Sequence, residues 1–143
     1  MGLIQDLCDR PDRLSRSSSF TAFNGLIYLT AGSLLLAWPG AVQAFRLGPD
    51  FVGNESSLVR ILGMTVAIIG WFYLFAGRSG SKQLVAASVL DRIILVPLVL
   101  IPLAMMGVFP GLLASVAALD LVLGLIAWRL LTIERPGMAD RVD

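Results

Sequence analysis

The chain is 143 residues long, 57% hydrophobic and 15% charged, with a mean hydropathy of +0.82. Soluble domains carry roughly 25% charged and 45–50% apolar residues, so this balance points to a membrane protein. A net charge of +1 offers nothing to nucleic acid; the absence of histidine excludes His-ligated haem, copper, zinc and di-iron sites and Ser-His-Asp or Cys-His catalysis; and Cys8, the sole cysteine, excludes an internal disulfide, a CxxC redox pair and a Cys₄ site.

Residues 1–19 read as a cytoplasmic tail. Leu3, Ile4, Leu7 and Cys8 fall at helical spacing and predict a short interfacial helix before Pro11, followed by Arg10, Arg13 and Arg16. Residues 20–38 form a first apolar span that Trp38-Pro39-Gly40 ends at the interface. A basic tail, an apolar run and Val42-Gln43-Ala44 also describe a cleaved signal peptide, but the run is long for one and is read as an uncleaved span. Residues 39–57 are the one long loop, with Phe45, Leu47, Phe51 and Val52 expected at the membrane surface. Its Asn54-Glu55-Ser56 sequon is short enough to arise by chance.

The second span covers residues 58–76, and Arg60 near its start is placed to snorkel toward headgroups. Gly63, Gly70 and Gly77 recur every seven residues, and Gly25 and Gly32 repeat the spacing in the first span. Faces without side chains let a neighbouring helix approach closely. The third span covers residues 84–106 and contains Asp91, Arg92, Pro97 and Pro102. Each proline lacks a backbone donor, which frees the carbonyls of Ile93 and Leu98 and predicts a kink. A charge-free turn at residues 107–111 leads into the fourth span, residues 112–131, and a C-terminal tail, 132–143.

Lys and Arg gather in the N-terminal tail, in the connection between spans two and three (Arg78, Lys82) and at the C-terminal end (Arg129, Arg135, Arg141). The other side has Arg46, with Arg60 just inside the span. The expected architecture is an all-α integral membrane bundle of four helices with both termini in the cytoplasm.

This topology places Arg92 about 12 Å, Asp120 about 16 Å, Asn24 about 6 Å and Tyr73 about 4 Å from the cytoplasmic ends of their spans, at 1.5 Å per residue. Arg92 and Asp120 are then within reach of each other, and Tyr73 and Asn24 extend the cluster toward the cytoplasm. Asp91 points roughly 100° away from Arg92 and is expected to meet Arg78, Lys82 or the neighbours of Arg92. Ala117, Asp120, Gly124 and Ala127 form a stripe of otherwise small residues, which turns Asp120 toward the bundle interior or a partner subunit. An intramembrane charge marks function by default, yet a buried pair can also serve only to lock helix register. Three readings stay open: a structural lock, a pocket for the polar head of a lipid, quinone or similar lipophile, and a contact with another membrane subunit.

Arg60-x-x-Gly63, Phe72-Tyr73, Ser88-x-x-x-Arg92 and Gly107-x-x-Pro110 before an Asp-bearing last span resemble small bacterial four-helix membrane proteins of the broad DoxX-like group and related families of unknown function, over residues 20–131. The resemblance implies a bacterial inner-membrane location. Some members of that group are linked to membrane redox complexes with quinones, which implies an accessory role for this chain. It carries over no catalytic residue. The leading expectation is an accessory, structural or assembly subunit of a larger membrane complex, in contact with lipids, other subunits or a second copy of itself. The alternative is a binding protein, or enzyme, for a lipid, quinone or other lipophile held between spans two, three and four. The candidate cluster is Arg92, Asp120, Tyr73, Asp91, Asn24 and Arg60, with no cofactor or metal expected.

Overall fold

The structure, a computed structural model, describes residue 11 and residues 13–134; the expected interfacial helix before Pro11 lies outside them, as does the C-terminal tail beyond residue 134. Four helices are long and apolar enough to cross a membrane: α1 (Arg16–Ala37), α3 (Glu55–Arg78), α4 (Lys82–Met105) and α5 (Pro110–Ile133). A single turn, α2 (Ala41–Ala44), lies in the loop after α1, and no strand occurs among the described residues. The 24-residue helices rise about 36 Å, enough to cross a hydrocarbon core of about 30 Å with a turn to spare.

Local chemistry explains the helix ends. The Ser15 hydroxyl accepts from the Ser18 amide at 3.1 Å and starts α1 four residues ahead of the apolar run. Trp38 precedes Pro39, takes φ −134° and ψ 80°, and so leaves the helical region. Ser81 caps α4 through Leu84. Pro110 occupies the first turn of α5, where its missing donor costs nothing.

The repeated glycines face one another. A Cβ on Gly25, Gly32, Gly63 or Gly70 would lie only 2.6–2.8 Å from the carbonyl oxygen of the facing glycine, in the pairs Gly25–Gly70 and Gly32–Gly63. Gly77 sits in the same way against Ser18 and Ala22. One number rises by seven as the other falls by seven, so α1 and α3 run antiparallel with their backbones in contact. In lipid there is no gain from burying one apolar side chain against another, and close backbone approach supplies the packing energy instead. The α4–α5 hairpin lies across this pair.

Burial is inverted relative to a soluble bundle. The buried residues of α1 are Ser17, Ser18, Thr21, Asn24, Gly25, Tyr28 and Gly32, all polar or small, while Phe23, Leu26, Leu34 and Leu36 face outward. The apolar core sits at the loop end instead. Val42, Val59 and Leu112 are buried there, with Leu47, Phe51 and Phe109 packed around them. Gly111 lets the Leu47 carbonyl come close to α5, and the Phe51 and Phe109 rings stack edge-on at 6.2 Å. The loop therefore acts as a plug: Leu47 and Phe51 turn inward rather than to the membrane surface, and only Phe45 and Val52 are exposed as expected.

In α4, residues Asp91–Leu95 form a π-helical turn in which the Val96 amide reaches back to the Asp91 carbonyl. Pro97 follows immediately, and Pro102 sits within regular helix. The disruption is thus concentrated upstream of Pro97, at the turn that carries Asp91, Arg92 and Ile93. Widening the helix there makes room for the proline ring, and π turns of this kind recur at functional sites.

Candidate ligand site inside the bundle

The π turn sets the two adjacent charges apart. Arg92 is fully buried, while Asp91 is half-buried. The Arg92 guanidinium carbon lies 4.1 Å from the centre of the Tyr73 ring and 5.3 Å from that of Tyr28. The two rings meet edge to face at 5.5 Å, so α1 and α3 each offer one π face to the cation. The Tyr73 hydroxyl donates to the Asp91 carboxylate. Asp91 therefore meets Tyr73, a neighbour of Arg92, rather than Arg78 or Lys82.

The expected Arg92–Asp120 pair does not form. Nε, Nη1 and Nη2 of Arg92 all lack a hydrogen-bond partner, as does Oδ1 of Asp120. The geometry gives the reason. Gly124, one turn from Asp120, draws α5 close to Arg92 Cβ and Ile93, and the guanidinium extends instead toward the tyrosines of α1 and α3. Arg92 Cβ lies level with Gly124, so Asp120 stands one turn further along the same face of α5, and the guanidinium extends away from that side.

Asn24 is fully buried with neither amide atom partnered, and Thr21 Oγ1 and the Tyr28 hydroxyl are also buried without partners. Leaving such groups unmet costs about 1–3 kcal/mol each, more for a charge. Thr21 and Tyr28 were missed from sequence, although a signal was present. With Asn24 they follow i, i+3, i+7 spacing, which puts all three on one helical face. Arg60 does not belong to the cluster. It is exposed, and its Nη1 donates to the Leu36 carbonyl at 2.6 Å and the Ala37 carbonyl at 3.4 Å, satisfying the C-terminal end of α1.

A cavity of about 280 Å³ opens beside Tyr28; Arg92, Asn24 and Thr21 do not line it. Tyr28, Tyr73, Asp91 and Asp120 make its polar side, and Leu62, Val66 and Val116 are part of its apolar wall. Leu95 and Val99 line it as well and are more than half exposed, so it communicates with the lipid side of α4. A smaller apolar hollow of about 80 Å³ shares Tyr28, Leu62, Val66 and Val116 and continues toward Leu35 and Leu113. The shape suits a molecule with one polar end and an apolar body. Among the described residues no group of three or more His, Cys, Asp or Glu side chains is gathered to hold a metal. Ser88, the hydroxyl nearest the π turn in sequence, donates to the Val85 carbonyl at 2.8 Å.

A second tie holds the opposite end of α5. Glu134 accepts from the Ser17 amide at 3.1 Å and from the Ser17 hydroxyl. Partial burial pushes the Glu134 carboxyl up, but the hydrogen bonds from Ser17, Arg16 and Ser15 outweigh it and hold the group below its ordinary value. A carboxylate at the N-terminus of α1 also complements the helix dipole. The sequence placed Glu134 in a polar tail, since nothing local shows that α5 ends beside the start of α1.

Compared with protein-family models, with curated proteins and with solved structures, the chain matches none.

Proposed function

We propose that the chain is a multi-pass membrane protein that binds a lipophile, with the ligand's polar end beside Tyr28 and Asp120 and its apolar body in the rest of the cavity. One observation carries this reading: the buried Tyr28 hydroxyl and Asp120 Oδ1, neither with a hydrogen-bond partner, line one side of an otherwise largely apolar cavity. Among the lining groups, the Tyr28 hydroxyl is an unused donor and Asp120 Oδ1 an unused acceptor, while the unpartnered Arg92, Thr21 and Asn24 lie outside the lining. The favoured polar end is therefore neutral and able to accept from the Tyr28 hydroxyl, as a quinone carbonyl does; the Asp91 and Asp120 carboxyls in the lining disfavour an anionic head. Resemblance to the DoxX-like group agrees with a quinone, with a bacterial inner membrane and, from the distribution of Lys and Arg, with both termini in the cytoplasm. The glycine faces of α1 and α3 are taken up against each other within the chain, so they offer no surface to the partner of an accessory subunit.

The test is solvent extraction and mass spectrometry of the full chain purified in mild detergent. A hydrophobic molecule is expected at close to one per chain, and it is expected to disappear when Val66→Trp fills the cavity in a protein that still elutes as a single folded species. A ligand-free wild-type protein, or a ligand equally retained by Val66→Trp, overturns the reading. Recovery of stoichiometric partner proteins with no ligand supports the accessory-subunit role instead.

A further inference from the structure

A second cavity, of about 490 Å³, lies between the C-terminal end of α3 and the N-terminal half of α4. It is distinct from the deep one, and the hydrogen-bonded Tyr73–Asp91 pair, which lines both, forms the wall between them. Phe72 and Leu84 line its outer side and are well exposed, so it opens sideways to lipid near the end of the bundle. Arg78 also lines it, with Nε buried and unpartnered. The cavity thus has a cation at its outer end and an apolar flank that continues into the bilayer. The one acid lining it, Asp91, lies at the inner end and already accepts from Tyr73. Five residues separate Tyr73 from Arg78, which is about 7.5 Å along the helix.

The geometry points to a binding site for an anionic phospholipid, with its phosphate at Arg78 and an acyl chain running outward past Phe72 and Leu84. Charge sets the orientation. Phosphate at the Arg78 end meets an unused donor, whereas phosphate at the inner end meets Asp91. Arginine suits this task because its planar fork matches phosphate oxygens and its charge persists under all ordinary conditions. An acyl chain tethers the phosphate near Arg78, which a free phosphate in water lacks.

Native mass spectrometry of the full chain, released from nanodiscs containing equal phosphatidylglycerol and phosphatidylcholine, tests this directly. Wild-type protein is expected to retain phosphatidylglycerol selectively, and Arg78→Gln to lower that selectivity about fivefold, the effect of one basic residue against anionic lipid. Arg129→Gln removes an exposed charge at the end of α5 outside the cavity and is expected to change nothing. Ala87→Trp fills the cavity and is expected to abolish retention while Arg78 remains. Equal retention of the two lipids by wild type overturns the proposal, as does an equal loss in Arg78→Gln and Arg129→Gln. Displacement of the lipid by millimolar glycerol phosphate also overturns it, in favour of a water-soluble phosphate ligand.

Discussion

Along the α1–α3 seam two backbones touch, with glycine facing glycine at Gly25–Gly70 and Gly32–Gly63. Across the bundle, α4 leaves spaces of about 490 Å³ and 280 Å³ beside α3, and Tyr28 and Asp120, which line the deeper one, each have a buried oxygen without a partner. The difference follows from the solvent. In hydrocarbon, helices adhere where small residues allow close approach, and large or charged residues hold them apart. The seam contributes stability, and the α4 side gives some of it up. Unmet donors and open space are costly to an empty protein and useful to one that takes a ligand.

The largest effect is expected at the seam. Gly70→Leu drives a side chain into the backbone of α1 and should cost about 3 kcal/mol, seen as loss of monodisperse protein and a lower unfolding temperature in detergent. Ala87→Leu, which adds similar bulk where there is a cavity, should stay within about 0.5 kcal/mol. Equal tolerance of the two substitutions would break the contrast between the regions.

Next in size is Arg92→Met. Replacing an unpaired buried cation with an apolar side chain should stabilise the ligand-free protein by about 1–3 kcal/mol, because the relief from desolvation exceeds the lost cation–π contacts. A fall in stability would instead make Arg92 a structural lock.

The two edge-to-face tyrosines give a finer comparison. Tyr73→Phe deprives Asp91 of its donor and should cost about 1–2 kcal/mol in chemical denaturation. Tyr28→Phe removes a hydroxyl that has no partner and should cost less than about 0.5 kcal/mol, while weakening ligand retention.

The smallest effect lies at Glu134. Its carboxyl titrates below its ordinary value in the folded chain, so its stabilisation is complete above the unfolded carboxyl value of about 4.3 and disappears as pH falls through the lower folded value. Glu134→Gln should cost about 0.5–1 kcal/mol at neutral pH and flatten that acid limb in unfolding temperatures measured from pH 3 to 7.

Much of this was legible in the chain. Apolar runs of spanning length give four helices because a membrane leaves no other place for them, and the seven-residue glycine spacing marks a close-packing face whatever its partner. Asn24, Tyr73, Asp91, Arg92 and Asp120 stood out because polar groups in hydrocarbon are rare. Which of them touch was not legible. Depth can be counted along a helix, but the way a long side chain extends depends on the neighbours it meets, and Arg92 extends to the tyrosines of α1 and α3. Arg60 was grouped with the wrong neighbours because its role depends on carbonyls that only the α1 terminus offers.

The sequence by itself determined the spans, the packing face of each glycine-bearing helix and the list of costly polar residues, because each rests on composition and local periodicity. Only the tertiary structure decided that the glycines meet one another within the chain, that Arg92 lies against Tyr28 and Tyr73 rather than Asp120, and that cavities border both faces of the Tyr73–Asp91 pair. Those outcomes depend on how four helices rotate against one another, and that rotation is set by all the contacts of the bundle together.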